Sequence, residues 1–342
     1  MTQTTEESSI GAYLESPLTL GEPVTSGSLT VYPVFGPEPR QTYISLKDAI
    51  GKGLTVKELP GGGSVRDLAI QNTCRHNVLV FEGEEVLGAQ QNRTFDKSVL
   101  IPAGSQLVVP VSCVEAGRWD GSRNSEAFTP SPQAAHPKLR SRKAMQANRA
   151  RIAGLEERAD QGQVWSDVGD RSAALGVKSS TSALHDAYES RRSELQNLTA
   201  PIGASEGQIG MIAVIGGEVG ALDLVSRPEV FADLQSALVQ GYGLDAIAET
   251  GDASKPLTDA QVEEFVRTTV DTRILEGDGI GLGRDFRFES NDLVGAGLVS
   301  GDELVQLSVF PADRDEASES GGPVHPIPAR TRIQRPSRRR DR

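Results

Sequence analysis

The apolar run Val78-Leu79-Val80-Phe81 gives way at once to Glu82-Gly83-Glu84-Glu85-Val86-Leu87-Gly88. No other junction in the chain constrains the fold as tightly. A strand that is apolar at every position needs cover on both faces. Carboxylates at its very end are costly unless paired, exposed or put to chemical use. Next come the polar block Ala89-Gln90-Gln91-Asn92-Arg93, two apolar segments joined by Pro102-Ala103-Gly104-Ser105, and the closing run Ser112-Cys113-Val114-Glu115-Ala116-Gly117-Arg118-Trp119. From Asn77 to Trp119 the chain therefore reads as the end of a β-core ringed by a polar collar.

The rest of the sequence predicts an α+β fold. Strands are expected over Leu18 to Leu20, Leu29 to Val34, Leu54 to Leu59, Val65 to Gln71, Asn77 to Phe81, Thr94 to Ile101 and Gln106 to Glu115, with Gly, Pro and Ser turns between them. Residues 17–119 thus make a β-rich half, sandwich or barrel-like, with one short helix at Leu46 to Ile50 capped by Ser45. Asp120 to Pro137 reads as a long loop. A central helical segment, 138–198, carries helices over Leu139 to Ala159, Val164 to Leu175 and Thr181 to Leu198. The part from 207 to 311 combines a hairpin about Gly216-Gly217, helices opened by capping boxes at Ser226 and Thr258, and closing strands from Arg284, Leu293 and Leu304. The first of these helices is expected to break at Gly241 and Gly243. Residues 1–16 and 312–342 are expected to be disordered flanks of a single globular domain over 17–311.

Charge narrows the function classes. A net charge of −12 argues against nucleic-acid binding through the folded body. Positive charge gathers at the end instead, in Arg330, Arg332, Arg335, Arg338, Arg339, Arg340 and Arg342. A run of this kind is ordinarily a solvated tail; the alternative is a tether to RNA, DNA or an acidic partner. The helix from Leu139 is basic too, and a solvated face is the plain expectation there, with anion binding as the alternative. A mean hydropathy of −0.32, with no apolar run approaching roughly 18 residues, speaks against a membrane span. The polar, acidic start speaks against a usual signal peptide. Cys74 and Cys113 fit neither a metal spacing nor a disulfide framework, so a reducing, cytoplasmic setting is expected. Oligomeric state is not legible.

The chemistry-bearing candidates sit in the collar. Glu82, Glu84, Glu85 and Glu115 could coordinate a hard divalent cation or act as general acid and base. Strand alternation puts Glu84 and Glu85 on opposite faces, which opposes all of them acting together. Gln90, Gln91, Asn92 and Arg93 form a donor and acceptor block suited to an amide, ribose or phosphate, or else a hydrogen-bonded turn. Arg118 can add positive charge and Trp119 a stacking surface. Cys113 is expected to be a small core residue, since a nucleophilic thiolate needs a base or cation beside it. Asp223, near the end of a hairpin strand, is a further candidate ligand residue. Gly279-Ile280-Gly281-Leu282-Gly283 is followed by a strand rather than a helix, so it reads as a flexible loop and not a phosphate loop.

The segments Phe81 to Arg93 and Val109 to Trp119 resemble the ADP-ribosylglycohydrolase- and rhodanese-phosphatase-associated protein domain family. So do Asp160-Gln161-Gly162-Gln163-Val164-Trp165, Tyr242-Gly243-Leu244-Asp245-Ala246 and Leu307-Ser308-Val309-Phe310. The resemblance spans Leu18 to Phe310 and implies one family-wide domain rather than two fused modules. It points to nucleotide or ADP-ribose metabolism and carries no settled catalytic assignment. The expected function is an enzyme-like domain that binds a nucleotide or ADP-ribose-type ligand, with or without hydrolysing it. Glu84, Glu85 and Glu115 would be its acid/base or metal groups, and Gln91, Asn92, Arg93, Arg118 and Trp119 would hold the ligand. The rival is a non-catalytic sensing or protein-interaction module.

Overall fold

In the computed structural model, which describes residues 8–61, 63–123, 126–249 and 257–312, the strand Asn77–Val80 is covered on both faces, as its sequence requires. Val78 and Val80 join a cluster with Leu54, Ile70, Phe95 and Val109. Leu79 and Phe81 enter a different cluster, with Met211, Phe231, Leu234 and Leu238. The run is the partition between two cores.

The first core belongs to two small sheets, the sandwich-like half that the sequence predicts. One has six antiparallel strands in the order Thr129–Ala134, Glu84–Leu87, Arg93–Phe95, Ser105–Cys113, Asp67–Asn72 and Leu54–Glu58. The other sets Asn77–Val80 between Val99–Ile101 and Tyr43–Ser45, the last pair being parallel. The second core rests on a ten-stranded antiparallel sheet. Leu29–Phe35 leaves the N-terminal half to pair with Gly210–Ile215 in that sheet, so the two halves interlock. Its alternation divides the packing: Leu29 and Val31 join the cluster of helix Pro228–Ala248, whereas Tyr32 and Val34 join that of helix Asp259–Asp271. Four further helices, Pro137–Ile152, Gln161–Ala174, Leu184–Ser190 and Arg192–Thr199, complete the centre of the chain.

Several local expectations are corrected. The strand foreseen over Thr94 to Ile101 is two strands in different sheets, Arg93–Phe95 and Val99–Ile101. Between them Asp96 turns to Lys143 and Ser112, and Lys97 to Glu157 and Asp285. The supposed loop after Asp120 contains the strand Thr129–Ala134; its prolines are tolerated because it lies at a sheet edge. The helix from Thr181 is divided at Arg191. Helix Pro228–Ala248 has no side-chain cap, and it does not break at Gly241 or Gly243. Those glycines serve packing: a Cβ on Gly241 would lie 3.1 Å from the Ala134 carbonyl oxygen, and one on Gly243 3.1 Å from Leu195. The glycine loop is pinned rather than free, with the Leu282 N–H donating to the Leu100 carbonyl at 2.8 Å. Residues expected to be disordered at the start include Ser8–Ser9, which pair with Arg273 and Ile274, and the buried Ile10. Residues 1–7 and the Arg-rich tail beyond Ala312 lie outside the described residues.

Candidate functional site

The basic helix is not a solvated face. Arg140 and Lys143 are buried in the centre of the protein. The Arg140 guanidinium donates to both Asp223 oxygens at 2.6 and 2.7 Å, to Glu82 at 2.6 and 3.0 Å, and to the Ser308 hydroxyl at 3.0 Å. Tyr242 donates to Asp223, and the Phe81 and Phe310 rings flank the cation at 5.4 and 5.0 Å. Burial works against the charge, yet Asp223 and Glu82 hold Arg140 protonated, well above its ordinary range. Gly83 makes this approach feasible: it has φ +85°, and a Cβ there would meet Arg140 Nε at 2.6 Å. Glu82 and Asp223, both candidates from sequence, thus belong to a buried ionic junction tying the collar to the large sheet.

At the rim, Glu115 and Arg118 organise the turn after Ser105–Cys113. Arg118 donates to both Glu115 oxygens at 2.8 and 2.7 Å and to the Ala89 carbonyl at 2.7 Å. The Asn92 N–H donates to Glu115 Oε2 at 3.1 Å, and Gln91 Nε2 donates to the Glu115 carbonyl at 2.8 Å. Burial would raise the Glu115 pKa, but Arg118 and the Asn92 N–H outweigh it and hold the carboxyl below its usual range. The loop leans on Thr181, whose Cα would lie 2.8 Å from a Cβ on Gly117.

Behind this turn lies Arg93, fully buried. It donates to Cys113 Sγ at 3.0 Å and Gln91 Oε1 at 3.3 Å, and reaches Glu58 and the Ser64 carbonyl only at 3.5 Å. Trp119, 48% exposed, lies over the guanidinium with its ring centroid 5.8 Å away. Burial pushes the Cys113 thiol up to about 11 despite Arg93, which keeps it a neutral packing group. Gln161 was not foreseen as a functional residue. Its side chain brackets the Cys113 backbone, accepting from the N–H and donating to the carbonyl, each at 2.8 Å, as an adjoining strand would. Its place in the motif Asp160 to Trp165 was the available signal.

Glu84 and Glu85 part company, as alternation requires. Glu84 accepts from the Phe81 N–H at 2.7 Å and feels Asp233, whereas Glu85 accepts from Ser131 at 3.1 Å and feels Glu115 and Asp186. Burial raises both carboxyls to about 8, so both are protonated at neutral pH. Glu84, Glu85 and Glu115 therefore do not act as one triad. Among the described residues no group of three or more His, Cys, Asp or Glu side chains is placed to hold a metal ion. Among the same residues no helix is long and apolar enough to cross a membrane.

These collar segments, the Gln161 motif and the closing strands fall inside one continuous match. The family model described as "ARG and Rhodanese-Phosphatase-superfamily-associated Protein domain" matches residues 17–310. The chain belongs to that family. No curated protein and no solved structure matches it. Within the family domain, the match begins before Leu29–Phe35 and ends in the last strand of the ten-stranded sheet, so it takes in both cores and the collar between them.

Proposed function

We propose that the collar binds a nucleotide or ADP-ribose-type ligand, with Trp119 as the platform for its base. One observation carries this reading: a half-exposed indole at the rim with the buried Arg93 guanidinium behind it. An aromatic face that is offered to solvent and backed by a cation suits a stacked base. Arg118, with 22% of its side chain exposed, stands one residue away and can meet a ligand oxygen. The family description names an association with ARG and rhodanese-phosphatase proteins, which is compatible with a ligand of this class. A reducing, cytoplasmic setting belongs to the same reading, supported by two free buried cysteines.

Hydrolysis is part of the proposal through Glu85 and Glu115. Burial keeps Glu85 neutral, helped by the nearby Glu115 charge, while Arg118 keeps Glu115 ionised. Two neighbouring carboxyls driven apart in this way suit a proton donor and a charge-stabilising carboxylate in cleavage of a glycosidic linkage. Glu84, closed onto the Phe81 N–H, has no role in it. The bonds that tie Gln91 and Asn92 to Glu115 favour the second reading, a sensing module without turnover. Calorimetric titration with ADP-ribose and ADP, followed by product analysis, separates the two. Binding that weakens in Arg118→Ala, with product made by the wild type and not by Glu85→Gln, is the expected result. Binding without product leaves the sensor, and absence of binding removes both.

A further inference from the structure

Two buried arginines in one protein show what a satisfied guanidinium looks like and what an unsatisfied one looks like. Arg140 makes five short contacts between 2.6 and 3.0 Å, four of them to carboxylates. Arg93 is as fully buried, but its single carboxylate neighbour, Glu58, stands at 3.5 Å. Its Nε has no hydrogen-bond partner, and neither has Glu58 Oε2. A guanidinium already stripped of water and held this loosely has its donors available to a better acceptor. Its cover is Trp119, half of whose surface faces solvent.

We infer that Trp119 covers an anion subsite at Arg93. A phosphoryl group enters beneath the indole and takes the free Nε edge of the guanidinium, while the displaced indole stacks on the ligand's base. The ligand class is a nucleoside carrying a phosphate or diphosphate, whose oxygens match the planar fork two at a time. Glu58 is the internal competitor for the same cation. This inference rests on the base-stacking reading above and adds where the phosphate goes.

Trp119 and Trp165 are the chain's two tryptophans, so the full chain with Trp165→Phe reports on Trp119 alone. Its fluorescence is to be titrated with ADP, adenosine and inorganic pyrophosphate. ADP and pyrophosphate are expected to change the Trp119 emission, and ADP to bind at least about tenfold more tightly than adenosine. Arg93→Lys should erase most of that advantage. Glu58→Gln should tighten ADP and leave adenosine unchanged, which keeps the test decisive if Arg93→Lys does not fold. Equal affinities for ADP and adenosine, or a Glu58→Gln effect shared by both, would overturn the anion subsite and leave the base platform standing. If none of the three ligands binds, the platform reading fails and the subsite with it.

Discussion

Single residues show how much of the collar is interior. Arg140 sits with two carboxylates in a buried junction, so removing the cation leaves both without a counter-ion. Arg140→Met is expected to cost about 3–5 kcal/mol in chemical denaturation, and adding Glu82→Gln and Asp223→Asn should restore much of it. An unchanged midpoint in the single variant would contradict the junction. Glu84 and Glu85 give a pH signature. Their folded-state pKa of about 8 lies above the ordinary 4.5, so the folded state holds more protons between those values. Stability from these groups is fully present below pH 4.5, declines as pH rises through the window, and levels off above 8. Glu85→Gln should therefore lose less Tm between pH 5 and pH 9 than the wild type does; an equal loss would mean that Glu85 is ionised in the native protein.

Individual elements were legible where one local rule decided them. The Thr258 capping box forms, with the Gln261 side chain closing it, and the hairpin turns at Gly216 and Gly217, both at positive φ. The doubly covered strand Asn77–Val80 follows from its unbroken apolar run. Where distant partners decided, local reading failed. The basic helix looked solvated because the sequence does not show that Glu82, Asp223 and Asp96 converge on it. Helix Pro228–Ala248 looked broken because glycine chosen for close packing reads the same as glycine chosen for a turn. Gly241→Val should make that distinction measurable, since added side-chain volume meets the Ala134 and Ala135 carbonyls. A loss of about 1–3 kcal/mol is expected, and a neutral outcome would indicate that the helix does not need this close approach.

For the whole molecule, interlocking is what places the collar. Leu29–Phe35 pairs deep in the C-terminal sheet, the partition strand feeds both cores, and Arg140 joins helix Pro137–Ile152 to the collar and the large sheet. The rim that emerges holds Trp119 and Arg118 in front of Arg93 and Glu115. The sequence named these residues correctly as neighbours but not which were spent on internal bonds, because that depends on Gln161, Glu58 and Thr181 from three other segments. Calorimetry of ADP-ribose against the wild type and Trp119→Ala, with Tm measured for both, tests the site most directly. Binding in the wild type that drops by about tenfold or more in Trp119→Ala at unchanged Tm is the predicted result. Equal binding by the two proteins, or none by either, would contradict a ligand site at this rim.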